Sequence, residues 1–207
     1  MTDRPILFSA PMVRALLDGW KTQTRRIMKP QPRQTDTGEW YVATSAGFQY
    51  LSDPNLAMRI AVGDRLWVRE SWQGLTFGDF RPTKHEPCEI RYAATDRCAD
   101  MDAEARGYSW RPSIFMPRFA SRLTLTVTDV RVERLQDISE DDAAAEGWPA
   151  PEDRATTGIA EIRDAYPIGW YAWILDSING RGAWDANPWV AVYEFTVERK
   201  NIDEVPA

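Results

Sequence analysis

The sequence has few of the residues that build covalent or metal-held scaffolds. Its 207 residues include two cysteines, Cys88 and Cys98, and one histidine, His85. Two cysteines supply no disulfide framework, so the composition favours a reducing, cytoplasmic environment. One histidine and two cysteines also give at most three zinc ligands, at an unfamiliar spacing. We therefore expect a protein without a metal or other cofactor.

The chain also lacks long apolar runs and an excess of positive charge. No apolar segment approaches the roughly 20 residues that a membrane-spanning helix needs, so we expect no membrane partner. The sequence has 31 acidic and 25 basic residues, a formal net charge of -6. Affinity for long nucleic acids comes mostly from neutralised phosphates, so this balance argues against strong, sequence-independent binding to them.

What the chain does contain is enough apolar material for a packed core. Hydrophobic residues make up 43% of the sequence, and ten residues are tryptophan. At this length one domain is the better count. We predict a single domain over residues 1–207, with insertions at about 38–60 and 74–117.

The spacing of apolar residues predicts about six strands and two or three helices. Helices are expected at residues 9–19, 139–148 and 159–178, and the first two end at Gly19 and Gly147. Alternating patterns predict strands at residues 6–8, 62–72, 89–95, 121–135 and 187–199, and a hairpin over 39–52. Because strands and helices do not alternate as β-α-β units, we predict an α+β fold with a mixed sheet or a small barrel.

Positive charge is concentrated in the stretch "DGWKTQTRRIMKP", residues 18–30. Lys21, Arg25, Arg26 and Lys29 lie here, with Asp18 as the only acidic residue among them. A solvated loop needs no such bias, and a general nucleic-acid binder would be basic elsewhere as well. The stretch therefore predicts a site that holds a phosphate, performs chemistry, or does both.

This stretch resembles the G-x-K-x-x-T-x-R signature of the ASCH superfamily. Gly19, Lys21, Thr24 and Arg26 occupy its four named positions. Residues 62–72, 138–147 and 173–190 are similar, in the same order, to blocks of phage and prophage members of that superfamily. The resemblance implies a PUA-like mixed β-barrel with flanking helices, and a basic cleft beside the barrel that binds RNA or nucleotides.

A small branch of the superfamily consists of amidohydrolases that remove the acyl group from N4-acetylcytidine. The resemblance to that branch makes Lys21 the proton acceptor, Thr24 the nucleophile and Glu146 the proton donor. Trp20 and Arg25 replace the commoner residues of the signature, and the chain is longer than those enzymes. A threonine hydroxyl needs a base, and lysine is a base only when desolvation or neighbouring cations make it neutral. Arg25 and Arg26 are the neighbouring cations.

Simpler interpretations of the same residues stay open. Lys21 and Thr24 also fit a phosphate-binding loop, Arg26 fits a core ion pair with Glu70, and Glu146 fits a solvated or C-terminal helix residue with no role in the site. Trp20 and Trp72 are the tryptophans nearest the charged motifs and are candidates for stacking on a base. The predicted ligand-binding residues are Gly19, Trp20, Arg25, Arg26, Arg69, Glu70 and Trp72.

We predict that the site takes a modified nucleoside, a nucleotide or a short single-stranded RNA. The first hypothesis is an amidohydrolase that deacylates N4-acetylcytidine-type nucleosides. The alternatives are a non-enzymatic module that binds RNA or a modified base, and a ribonuclease, which the lack of a histidine pair disfavours.

Overall fold

A computed structural model of the chain describes residues 1–52, 58–78, 81–83, 87–148 and 166–206. The chain divides into two compact units, each assembled from separate stretches. Unit 1 comprises Met1–Gly19, Asp64–Thr126 and Val197–Ala207, and unit 2 comprises Trp20–Gly63 and Val127–Thr196. Both strands and helices are present, so the predicted α+β class is confirmed. No helix in these ranges is long and apolar enough to cross a membrane.

The helices and strands of the described ranges are short, apart from β10, β11 and α4. In chain order they are β1 (Asp3–Leu7), α1 (Ala10–Asp18), β2 (Gln23–Ile27), β3 (Pro32–Gln34), β4 (Trp40–Thr44), β5 (Gly47–Leu51), β6 (Arg65–Arg69), β7 (Trp72–Leu75), β8 (Pro82–Thr83), β9 (Glu89–Tyr92), α2 (Ala103–Arg106), β10 (Thr124–Arg134), α3 (Glu140–Ala145), α4 (Pro167–Asn179) and β11 (Trp189–Glu198).

Unit 1 is built around strand β6. Strand β1 pairs with β6 in parallel, and the first residues of β10 pair with it antiparallel. A second sheet has the order β8-β7-β9. Helix α1 ends as predicted, at Gly19 with a positive φ of 82°. That conformation favours glycine, so Gly19 has a clear structural role at the end of the helix.

The buried carboxylate of Glu70 is neutralised within unit 1. Arg122 donates Nε–H to one carboxylate oxygen at 2.8 Å and Nη2–H to the other at 2.9 Å. The Arg122 guanidinium also lies 3.9 Å from the centre of the Tyr92 ring. The core partner of Glu70 is therefore Arg122, so the alternative in which Arg26 pairs with Glu70 is wrong.

Trp72 is a core residue of unit 1. It is 1% exposed and belongs to a buried cluster with Met116 and Ala120. The guanidinium of Arg111 lies 5.0 Å from its ring centre. This burial leaves no exposed ring for a base, which corrects the expectation that Trp72 stacks on a ligand. Arg69 donates to the carbonyl of Ile114 and lies over the Trp67 ring, so its guanidinium also has contacts inside unit 1.

Unit 2 contains strands in the order β10-β11-β2 and a separate sheet in the order β3-β4-β5. Strand β2 pairs antiparallel with β11. Met28, Ala191 and Tyr193 form a buried cluster in this unit. A closed barrel does not form among the described strands, because β1 pairs only with β6 and β2 only with β11. The mixed barrel expected from the resemblance is therefore not reproduced in that part of the chain.

Most predicted elements are present with shifted ends. The hairpin is formed by β4 and β5, and Ser139 caps α3 by accepting a hydrogen bond from the Asp142 amide at 3.1 Å. The strand predicted over 62–72 is two strands, β6 and β7, separated by Glu70 and Ser71. The helix predicted over 159–178 begins at Pro167, and its first predicted residues, 159–165, lie outside the described ranges, as does His85.

Replacing Arg122 by methionine should expose the dependence of unit 1 on its buried ion pair. We expect Arg122→Met to lower the free energy of unfolding at pH 7 by about 3–5 kcal/mol, because it leaves the Glu70 carboxylate buried without a cation. Burial raises the pKa of Glu70 and Arg122 opposes that rise, so the variant raises it further. The deficit should shrink from pH 8 to pH 5 as Glu70 takes up a proton.

Urea unfolding across this pH range measures the effect, and Arg97→Met, at an exposed position of the same unit, is the control. An equal deficit at both ends of the range would show that lost packing on Tyr92, rather than the carboxylate, causes it.

Candidate functional site

The predicted site residues of unit 2 lie where β2 begins and α3 ends. The Thr22 amide donates to the carbonyl of Ala145 at 3.0 Å, and the Thr22 carbonyl accepts from the Phe195 amide at 3.0 Å. Lys21 forms an isolated antiparallel bridge with Glu146. These backbone contacts place Lys21 beside Glu146 although 125 residues separate them.

The ammonium group of Lys21 is fully enclosed by acceptors. Nζ donates to the Glu146 carboxylate at 2.8 Å, to the Glu146 carbonyl at 2.8 Å and to the Gln23 carbonyl at 2.9 Å. The side chain is 1% exposed. Lysine has three N–H donors, so each of them has an acceptor. The ion pair of Lys21 and Glu146 is thus the buried polar centre of this part of unit 2.

The surroundings of Lys21 lower the pKa of its ammonium group. Burial is the largest influence and lowers the pKa of Lys21, Glu146 raises it, and Arg26 and Arg25 lower it again, with a net decrease. Desolvation penalises the charged form of a lysine, and a nearby cation acts in the same direction. Both effects act in the direction that the sequence predicts for a general base.

Glu146 is buried as well. It follows the last residue of α3, is 4% exposed and receives Lys21 on one carboxylate oxygen. The Nη1 of Arg25 lies 3.4 Å from the other oxygen. A helix C-terminus is an unfavourable place for a carboxylate, so these two cations offset the unfavourable dipole. The interpretation of Glu146 as a solvated helix end is wrong.

Arg25 is committed to carboxylates of its own unit. Its side chain is 0% exposed and its guanidinium contacts Glu133 at 2.7 Å, Asp142 at 2.9 Å and Glu146 at 3.4 Å. A guanidinium bound to three carboxylates has little capacity left for a ligand. The predicted ligand-binding role of Arg25 is therefore replaced by a positioning role, in which it holds Glu146.

Thr24 and Arg26 share the other face of β2. Side chains alternate along a strand, so Thr24 points away from the face of Gln23 and Arg25. Thr24 is 3% exposed and pairs across the sheet with Tyr193. The Gln23 carbonyl that accepts from Lys21 belongs to the peptide group that joins Gln23 to Thr24. The structure therefore joins Lys21 and Glu146 by a hydrogen bond and brings the Gln23–Thr24 peptide group to them, while the Thr24 side chain points away from the face of Gln23 and Arg25.

The remaining sequence candidates lie at the margin of this cluster or outside it. Arg26 is exposed, and its guanidinium interacts electrostatically with Glu146, Tyr171 and Tyr193. Trp20 is half-buried and directly precedes Lys21. The other candidates belong to unit 1 and have the contacts described there, namely Gly19, Arg69, Glu70 and Trp72.

Sequence reasoning missed the residues that connect this cluster. Gln23 Nε2 donates to the Asp142 carboxylate at 2.8 Å, and Arg131 contacts the carboxylates of Glu133 at 3.2 Å and Asp142 at 3.2 Å. Arg131 and Glu133 are two residues apart on β10, as are Gln23 and Arg25 on β2. A spacing of two residues places each pair on one face of its strand. This spacing is the only signal in the sequence that could have indicated these residues.

Carboxylates outnumber the cations they contact in the cluster. The cations are Lys21, Arg25 and Arg131, and the carboxylates are those of Asp129, Glu133, Asp142, Glu146 and Glu194. The stretch at residues 18–30 is basic in sequence, but the fold supplies acids from β10, α3 and β11. The cluster is therefore not the basic cleft that the sequence predicts.

Comparisons with known proteins found no matching family model, no matching curated protein and no matching solved structure.

Asp142 should contribute stability that disappears in acid. Burial alone would raise the pKa of Asp142, but the hydrogen bond from Gln23 and the charges of Arg25 and Arg131 lower it below 3.8, the ordinary value of an aspartate. A carboxyl group whose pKa is lowered by folding stabilises the folded state above its unfolded-state pKa. That stabilisation is lost as the pH falls through the folded-state pKa. We expect Asp142→Asn to lower the free energy of unfolding at pH 7 by about 1–3 kcal/mol.

The difference from the wild type should shrink below about pH 4, and denaturant unfolding at several pH values measures it. Asp141→Asn, the same change at the neighbouring exposed position, is the control. A difference that persists unchanged at the lowest pH would exclude ionisation of Asp142 as its cause.

Proposed function

We propose that the chain is an ASCH-type protein of PUA-like architecture that acts in the cytoplasm as an amidohydrolase on N4-acylated cytidine nucleosides. The observation that supports this most is the buried hydrogen bond of 2.8 Å between Lys21 and Glu146, next to the peptide group of Thr24. The signature residues Gly19, Lys21, Thr24 and Arg26 give the proposal its chemical class.

The Lys21–Glu146 pair supplies both a base and an acid from one hydrogen bond. Transfer of a proton along that bond converts the ion pair into a neutral amine and a carboxylic acid. The lowered pKa of Lys21 makes it easier for this lysine to give up a proton than for a lysine in water. Arg25 holds the Glu146 carboxyl in place, so the acid keeps its position when Lys21 moves towards Thr24.

The proposed reaction has two half-reactions. The Thr24 oxygen forms a bond to the acyl carbon while the Lys21 amine takes its proton. The bond from that carbon to N4 then breaks, and Glu146 gives its proton to the departing nitrogen. Water next adds to the acyl ester and loses a proton to Glu146. Lys21 returns its proton to the Thr24 oxygen as the ester bond breaks, which releases the free acid and restores the neutral pair.

Charge balance favours a nucleoside over a phosphorylated substrate. Binding a phosphate is favourable where cations exceed carboxylates, because its charge must be neutralised. The cations Lys21, Arg25 and Arg131 already contact five carboxylates of unit 2. An uncharged amide on a nucleoside is therefore the substrate class that the electrostatics support best.

Hydrolysis of N4-acetylcytidine tests the proposal directly. We expect the wild type to release cytidine, Thr24→Val to abolish release because it removes the nucleophile while keeping the shape, and Thr24→Ser to retain part of it. Thr22→Val makes the same change at the exposed neighbouring threonine and should leave turnover unchanged. Lys21→Met should lower turnover by roughly 10²–10⁴-fold.

Chromatography of the products gives the rates, and circular dichroism confirms that each variant is folded. A wild type that releases no cytidine contradicts the proposed activity. Turnover by Thr24→Val equal to that of the wild type would remove Thr24 from the mechanism.

A second function is favoured by one observation. All three protons of a Lys21 ammonium have acceptors within 2.9 Å. This arrangement also fits a lysine that stays charged and whose role is to hold β2 against α3. The protein would then bind a modified base without hydrolysing it. Calorimetry with N4-acetylcytidine separates the two functions, because a binding module gives a stable binding signal with no cytidine in the recovered solution.

A further inference from the structure

Unit 1 contains a cavity of about 400 Å³ that plays no part in the proposed hydrolysis. This volume is in the range of small-molecule sites. Three arginines line it, Arg81, Arg91 and Arg106, together with one carboxylate, that of Asp96.

Arg106 is held rigidly at the wall of the cavity. Its guanidinium lies 4.7 Å from the Trp110 ring centre and 5.3 Å from that of Tyr108. It donates to four backbone carbonyls, through Nε to Tyr108 at 3.1 Å and through Nη1 to Cys98 at 3.4 Å, Ala99 at 3.2 Å and Met101 at 2.7 Å. These four bonds use Nε and Nη1, and none of them uses Nη2.

The charge of Arg106 is not neutralised by the unit. Its four acceptors are neutral carbonyls, and within the described residues no carboxylate oxygen lies within 4.0 Å of its guanidinium. Elsewhere in this unit, Arg65 and Arg122 each contact a carboxylate at 2.8 Å. A fixed, half-buried cation without an anion, facing a cavity, is suited to an external anion.

The single carboxylate of the cavity is already engaged. One Asp96 oxygen accepts from the Cys98 amide at 2.7 Å, and the other accepts from the Tyr108 hydroxyl at 3.2 Å. Arg91 lies 3.6 Å from that second oxygen and 2.8 Å from Glu89, and its side chain is 43% exposed. The pair with Glu89 is exposed on both sides, and exposed ion pairs contribute little to stability, so Arg91 can leave Glu89 for a ligand at small cost.

We propose that this cavity binds a small phosphomonoester. Arg106 is the fixed donor to the phosphate and Arg91 the adaptable one. Leu75, Pro82 and the Tyr108 ring give the organic part of the ligand an apolar wall. The site belongs to unit 1 and stands whether or not unit 2 is a hydrolase.

Phenyl phosphate and inorganic phosphate are suitable probes, titrated by calorimetry at an ionic strength held constant with sodium chloride. We expect both to bind, and phenyl phosphate to bind more tightly because its ring packs on the apolar wall. Arg91→Gln should weaken binding about tenfold through loss of a charge-assisted hydrogen bond. Arg97→Gln removes the same charge at an exposed position that does not line the cavity and should bind as the wild type does.

A second variant tests the fixed donor. Arg106→Gln should abolish phosphate binding, and circular dichroism shows whether this variant is folded. If Arg106→Gln unfolds, Arg91→Gln, at an exposed side chain, decides whether the cavity binds phosphate. The proposal is overturned if millimolar phosphate gives no heat beyond dilution. It is equally overturned if Arg91→Gln and Arg97→Gln weaken binding alike, which would indicate general attraction to surface charge.

Discussion

The burial of Lys21 is the constraint on which the rest of unit 2 depends. Removing an ammonium group from water costs several kcal/mol unless nearby acceptors compensate it. Glu146 provides the nearest charge and Arg25 then stabilises Glu146, but Arg25 is itself fully buried and requires Glu133 and Asp142. The burial of Lys21 therefore fixes how α3 approaches β2 and which face of β10 is polar. Loss of any one of these charged residues leaves another charge unpaired.

The proposed hydrolysis relies on the same burial of the Lys21–Glu146 pair. A lysine in water is almost entirely protonated at neutral pH and is a poor base. Desolvation lowers the pKa of Lys21, although the Glu146 carboxylate within hydrogen-bonding distance raises it. Stability thus favours the ion pair, whereas the proposed reaction needs a lysine that gives up its proton. Arg25 contacts the other carboxylate oxygen of Glu146 and fixes its position.

Local signals in the sequence predicted local structure well and long-range partners poorly. The α1 boundary at Gly19, the hairpin of β4 and β5 and the Ser139 cap depend on neighbouring residues, so their patterns are visible in the sequence. The pairing of Arg25 with Glu133 and Asp142 joins residues 108 and 117 positions apart, and no local pattern encodes it. Trp72 shows a related limit, because a tryptophan in a strand has the same local pattern whether it is buried or exposed.

Net charge by sequence segment is a weak guide to where an anion binds. The most basic stretch of this chain, residues 18–30, is largely neutralised by acids that fold onto it from distant positions, so its cations stabilise the fold and adjust the pKa of Lys21. Arg106 lies in an unremarkable stretch, yet among the described residues its guanidinium contacts carbonyl oxygens and aromatic rings and no carboxylate. What determines anion affinity is the charge left after internal pairing, because a guanidinium already bound to carboxylates must break those contacts before it binds a phosphate.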